Sequence, residues 1–199
     1  MFSQAKNYYS NLQIQSYDEH MSVKIRSPVV KILYRPYADS DAGNFASAVN
    51  ASLDTLQPWL LWARNGFSEE DARQWFAATH TLREKGEANE LGLFAEDGRL
   101  LGGAGLRYSS EQTSHCSIGY WVRTSEQRQG IASQAVRYLV EMAWQRPERD
   151  RVEILAVEEN TASRRVAEKC GAEFMGIQHG LIVSDTGPVN TAIYHFHRP

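Results

Sequence analysis

Between residues 116 and 157 a strand-like run, an amphipathic helix and a second strand-like run follow one another, which restricts the chain to folds holding a parallel strand pair. Cys116 to Arg123 is mostly apolar and of strand length. Ile131, Ala135, Leu139 and Ala143 then recur every four residues, with Ala132, Val136 and Val140 beside them, giving one apolar helical stripe that closes before Pro147. Val152 to Val157 is a short, nearly continuous apolar run, which predicts a central strand buried on both faces.

The rest of the chain alternates in the same way. Val29 to Pro36 predicts a first strand, and Asp39 or Asp41 a cap for a helix reaching about Ser52. Ser68 followed by Glu69, Glu70 and Asp71 predicts a capped helix that ends near Gly86. Leu91 to Ala95 and Leu100 to Tyr108 flank Glu96-Asp97-Gly98-Arg99, a hairpin pattern. A short helix from about Thr161 carries Ala162, Val166 and Cys170, with Gly171 where a left-handed cap belongs, and Phe174–Ile177, Leu181–Ser184 and Thr191–Phe196 read as closing strands. The class is α/β (α+β): one domain over 29–199, preceded by a polar extension over 1–28.

Several functions are disfavoured by composition. A net charge of -3 and a pI near 6.1 give no general attraction to nucleic-acid phosphates or anionic lipid. There is no apolar leader and no run long enough for a bilayer span, so the expectation is a soluble, cytoplasmic protein with no membrane partner. Cys116 and Cys170 are the two cysteines, without metal-ligand spacing, so they are expected as reduced thiols in packed positions, with no metal.

Two segments carry chemistry. Gln127-Arg128-Gln129-Gly130-Ile131-Ala132 joins a strand to a helix. Glycine there lets the backbone approach an anion, unpaired N–H groups at the helix start form a phosphate cradle, and Arg128 adds a charge-assisted contact. Asn160-Thr161-Ala162-Ser163 opens the next helix at the end of a buried strand, with Asn160 as its cap. Two helix starts on adjacent parallel strands face one crevice at the carboxyl ends of those strands.

These residues resemble the GNAT acetyltransferase superfamily. Gln127-x-x-Gly130-x-Ala132 is similar to its pyrophosphate signature, and Asn160-x-x-Ser163 through Lys169-Cys170-Gly171 to its second coenzyme motif. Leu33–Pro36, Leu56–Trp62, Ile118–Trp121 and Tyr194 are similar to residues of the ribosomal-protein N-terminal acetyltransferase (RimJ/RimL-like) branch. The resemblance spans roughly 29–197. It implies a mixed, mostly antiparallel central sheet, splayed at the coenzyme site, with helices on both faces. It also implies acetyl-coenzyme A as cosubstrate, bound through Trp121, Val122 and Arg123 along the pantetheine arm, through Gln127, Arg128, Gln129, Gly130, Ile131, Ala132 and Ser133 at the pyrophosphate, and through Asn160 and Ser163 near the sulfur. Val122 N–H is the implied donor to the acetyl carbonyl, and Ser163 the implied donor to the leaving thiolate.

Relatives often hold a glutamate two residues before the Gly119-Tyr120 pair, where this chain has Ser117. Glu90, Glu111 and His115 are the alternative bases, alongside direct attack by an already neutral amine. Trp59, Trp62, Trp75 and Phe76 read as core rings, with Trp59 and Trp62 also placed to wall an acceptor groove. The branch implies the N-terminal α-amine of a protein as acceptor. A small amine, polyamine or antibiotic, or a noncatalytic acyl-coenzyme-A-binding module, remains the alternative, and a homodimer is compatible with the chain.

Overall fold

The computed structural model describes residues 30–108 and 114–199. The described elements run β1 (Leu33–Arg35), α1 (Ala42–Asn50), α2 (Leu53–Leu56), α3 (Glu69–Glu84), β2 (Ala88–Phe94), β3 (Leu100–Tyr108), β4 (His115–Val122), α4 (Ile131–Trp144), β5 (Arg151–Val157), α5 (Thr161–Lys169), β6 (Glu173–Ser184) and β7 (Gly187–His197). They build one sheet in the order β1-β2-β3-β4-β5-β7-β6, in which only β4 and β5 run parallel. The strand–helix–strand reading of residues 116–157 therefore holds, within a sheet that is otherwise antiparallel.

Local chemistry sets the element ends. Ser68 accepts from the Asp71 amide at 3.1 Å while its own amide donates to Asp71 at 2.8 Å, a reciprocal cap that starts α3. These contacts hold the Asp71 carboxyl below its ordinary value. Gly98, at φ 84, closes the β2–β3 hairpin. α5 ends on Gly171, at φ 92, with the Ala172 amide bonded to Ala167 O and the Gly171 amide to Glu168 O, the double closure expected of a left-handed cap.

Each sheet face carries its own core. On one, Ile131, Ala135 and Leu139 of α4 pack with Val152, Ile154, Leu106 and Ile118. On the other, Phe45, Tyr37, Phe76 and Trp121 form an aromatic cluster under α1 and α3, with Tyr37 stacked on Phe76 at 4.6 Å and Phe45 edge-on to Trp121 at 5.5 Å. α1 and α3 lie on β3 and β2, whereas α5 lies on β5 and β7 from the opposite side. The α1/α3 face over β5–β7 thus carries no helix among the described residues.

The differences from expectation are local. β1 is three residues, and Asp39–Asp41 form a short 3-10 turn before α1, with Asp41 buried against the Arg35 guanidinium at 2.7 Å. The helix expected to reach Ser52 ends at Asn50 and α2 follows as a single turn. β5 is buried on one face only, because Arg151, Glu153, Leu155 and Val157 alternate onto the helix-free side. The two short strands expected over 174–184 are one strand, β6, with register shifts between Phe174 and Gly176 and between His179 and Ile182. Cys116 is buried, burial pushing its thiol up to about 11, and Cys170 is half-buried.

Candidate active site

β4 and β5 are paired only through His115–Arg151, Cys116–Val152 and Ser117–Glu153, and beyond Ser117 they share no pair. The Arg123 amide bonds to Leu101 O at 2.8 Å on β3. Backbone groups alternate sides along an antiparallel strand, so Trp121 and Arg123 turn theirs toward β3, and Tyr120 and Val122 turn theirs into the gap. A V-shaped opening thus presents the edge of β4 as an incomplete ladder.

At its mouth the chain turns back into α4. Arg128 and Gly130 both adopt left-handed backbone, at φ 63 and φ 80, and Gly130 is the N-cap. Among the described residues the backbone amides from Arg128 to Ser133 donate no hydrogen bond. Six successive free donors at a helix start form the concave array that suits a diphosphate. A Cβ added at Gly130 would meet no protein atom within 4 Å, so the space above it is open.

The side chains of this turn divide into two groups. Gln127 donates to Val122 O at 3.3 Å and Thr55 Oγ1 at 3.2 Å, while Thr55 meets Thr124 at 2.7 Å and the Thr124 amide donates to Ser52 Oγ at 3.0 Å. Gln127 is therefore a brace between the turn and α2. Gln129 reaches Glu126, which is also paired with Arg99, and neither Gln129 nor Arg123 lines the cleft. Gln127, Arg128, Gly130, Ile131, Ala132 and Ser133 do line it.

The second wall is the start of α5. Asn160 Oδ1 accepts from the Ser163 amide at 3.0 Å, the expected cap, and both residues face the cleft. Tyr120 comes from β4 to meet them: its hydroxyl lies 3.1 Å from Ser163 O and 3.0 Å from Ser163 Oγ. Burial pushes the Tyr120 phenol up to about 12, so it keeps its proton near neutral pH. No tyrosine falls between Asn160 and Phe174; the topology supplies one from another element. Arg165 and Lys169, four residues apart on one face of α5, also line the cleft; Lys169 stands in the second coenzyme motif, whereas Arg165 was not singled out from the sequence.

The cleft measures about 720 Å³ and continues from the α4 turn to Asp54, Pro58, Trp59 and Leu60. Trp62 packs on Trp121 and Phe45 at 6.0 and 6.3 Å but is not part of the wall, whereas Trp59 is. Trp121 lines the cleft while its ring packs in the aromatic cluster against Phe45 and Trp62. Of the alternative bases, Glu90 is ion-paired with Arg107 at 2.8 Å and His115 begins β4, both outside the cleft lining, while Glu111 lies outside the described residues. No cluster able to hold a metal occurs among the described residues.

The acetyltransferase (GNAT) domain family matches residues 31–173. The chain belongs to this family of GNAT acetyltransferases. It is an acetyl-coenzyme-A-dependent N-acetyltransferase, and the amide array and the open strand edge fit that cosubstrate. The ribosomal-protein-serine acetyltransferase of Escherichia coli is 34% identical over 116 residues, 58% of this chain and 64% of that one. The fold is shared with RimL, a ribosomal L7/L12 α-N-protein acetyltransferase solved with coenzyme A, at a TM-score of 0.76 and 22% identity over 86% of this chain and 96% of that one. It is shared equally with Mycobacterium smegmatis RimJ, at 0.77 and 20% over 86% and 84%.

Proposed function

We propose that this acetyltransferase acts in the cytoplasm on the N-terminal α-amine of a protein, a ribosomal protein being the precedent among its relatives, and that residues 29–199 are the catalytic domain. The observation that carries the acceptor class is the charge of the cleft. Arg128, Arg165 and Lys169 crowd the coenzyme end, Glu126 is occupied by Arg99 and Gln129, and Asp54 is the one lining carboxylate with no ion pair among the described residues. A polyamine needs several carboxylates. One carboxylate beside an aromatic wall suits a single ammonium at the end of a peptide.

In this reading the amides of Arg128 to Ser133 hold the pyrophosphate, with Arg128, Arg165 and Lys169 supplying charge. The free groups of Tyr120 and Val122 pair with the pantetheine arm as an added strand would. Val122 N–H faces the oxygen on which negative charge develops when an amine attacks a thioester. Ser163 donates a hydrogen bond to the departing thiolate, and Asn160 fixes Ser163 through the cap. Tyr120 has one proton: when it donates to Ser163 Oγ, the serine hydroxyl is released to turn toward sulfur.

The test offers acetyl-coenzyme A with a peptide panel and a small-amine panel and follows thiol release. The expected result is release dependent on peptide. Release with polyamines alone would contradict the acceptor class, and binding without any acceptor-dependent release would mark a noncatalytic module.

A further inference from the structure

The basic side chains of α5 divide by face. Arg164 turns inward, donating to the Tyr194 hydroxyl at 3.1 Å and to Glu158 O at 3.1 Å, while Tyr194 donates to Glu168 at 2.8 Å. Arg165 and Lys169, one step further round the helix, are exposed and line the cleft. Neither is in an ion pair among the described residues, nor is Arg128 at the α4 turn. In a chain of net charge -3, these cations give one cleft a local positive field.

α5 also spans the cleft lengthwise. Its first turn meets the open strand edge, where Ser163 Oγ lies 3.0 Å from the Tyr120 hydroxyl. Its last turn lies against the start of α4, with Cys170 Sγ donating to Ser133 O at 3.5 Å and Arg137 Nη2 to Lys169 O at 3.4 Å. Ser133 ends the run of free amides that starts at Arg128. Lys169 is about 9 Å along the axis from Ser163, so it stands at the phosphate end of the cleft, with Arg165 one turn nearer the strand edge.

We infer that Arg165 and Lys169 form a subsite for the 3′-phosphate on the coenzyme's ribose and make the enzyme prefer coenzyme A to its 3′-dephospho form. This rests on the coenzyme placement proposed above and goes beyond it by dividing the phosphates between the two walls. The pyrophosphate is a pair of singly charged phosphoryl groups, which the amides of Arg128 to Ser133 and the Arg128 guanidinium match. A phosphomonoester carries about -1.5 to -2 near neutral pH, a further anion for which the α4 turn holds no second cation. Two long cationic side chains about 6 Å apart at their bases close on such a group from both sides. The carboxylates of the cleft do not compete for them. Glu126 is held by Arg99 and Gln129, and Asp54 stands with Pro58 and Trp59 at the acceptor end.

The test measures affinities for acetyl-coenzyme A and for 3′-dephospho-acetyl-coenzyme A by titration calorimetry, at low and high salt. It compares wild type, the double variant Arg165→Gln/Lys169→Gln, its charge-keeping counterpart Arg165→Lys/Lys169→Arg, and Arg128→Gln. Wild type is expected to bind acetyl-coenzyme A about 10-fold tighter than the dephospho form, and the difference should shrink at high salt because both cations are exposed. The glutamine double variant should lose that preference by weakening acetyl-coenzyme A alone; its unchanged affinity for the dephospho form then shows that the rest of the site is intact. The charge-keeping variant should retain most of the preference, and Arg128→Gln should weaken both ligands alike. Equal binding of the two ligands by wild type would overturn the subsite. So would equal weakening of both in the glutamine double variant, which would return Arg165 and Lys169 to the pyrophosphate. Binding of neither ligand by wild type would contradict the coenzyme placement itself, a result distinct from either of these.

Discussion

Replacing Gly130 by alanine separates what the α4 turn does for the fold from what it does for the coenzyme. Gly130 sits at φ 80 with nothing within 4 Å of an added Cβ, so the substitution clashes with no protein atom. Its cost to the fold is the left-handed backbone alone, about 1–2 kcal/mol, which in a chain of this size lowers Tm by roughly 2–8 °C. Gly66 supplies the control, because it stands at φ 72, also has nothing within 4 Å, and does not line the cleft. Gly66→Ala should lose the same stability and bind acetyl-coenzyme A as wild type does. Gly130→Ala puts a methyl group into the space the pyrophosphate requires, and a loss of at least ~10-fold in affinity, about 1.4 kcal/mol, is expected by titration calorimetry. Gly130→Val should lose more. If Gly130→Ala and Gly66→Ala bind equally, the six free amides are not the phosphate cradle and the turn is glycine-bearing for chain geometry only.

Other perturbations address single contacts. Ser163→Ala should lower kcat much more than it raises the coenzyme dissociation constant, and Tyr120→Phe should lower it less, since it removes the hydroxyl that frees the serine proton; steady-state kinetics beside calorimetry checks both. Asn160→Ala removes the α5 cap, with about 1 kcal/mol lost in a denaturant titration. Phe45→Ala, in the aromatic cluster under α1, should cost about 3–5 kcal/mol in the same assay. The Arg35 guanidinium holds the Asp41 carboxyl below its ordinary value. Its stabilisation is thus fully present above the ordinary carboxylate range and is lost as pH falls through the depressed value. Asp41→Asn should melt lower than wild type at neutral pH and show a shallower decline into acid.

Much of this architecture was legible because it depends on local periodicity and on end signals. The α4 stripe, the reciprocal Ser68–Asp71 cap and the Gly171 closure each write their element into a few consecutive residues. The turn ahead of α4 was legible for the same reason, a short run whose glycine and helix start act together. What escaped is what depends on register between distant strands. Tyr120 meets Ser163 across 43 positions, and Glu153 meets Ser117 and His195 only because β4, β5 and β7 lie side by side. No spacing in the chain announces those meetings. The alternation of β5 was misread because Glu153 was the one polar residue in an apolar run, and the residues alternating with it, Leu155 and Val157, are apolar although they lie on the helix-free face. Gln127, singled out for the coenzyme, lines the cleft and also bonds Thr55 of α2, a contact between elements 72 positions apart that no spacing announces.

Acceptor choice is tested most directly with one peptide that carries both a free N-terminal α-amine and an internal lysine. Incubated with acetyl-coenzyme A and the protein, and read by fragment mass spectrometry, it should carry the acetyl group on the α-amine alone, with transfer lost when that amine is blocked. Acetylation of the lysine, or transfer to spermidine in preference to the peptide, would contradict an α-amine acceptor seated between Asp54 and the Trp59 wall.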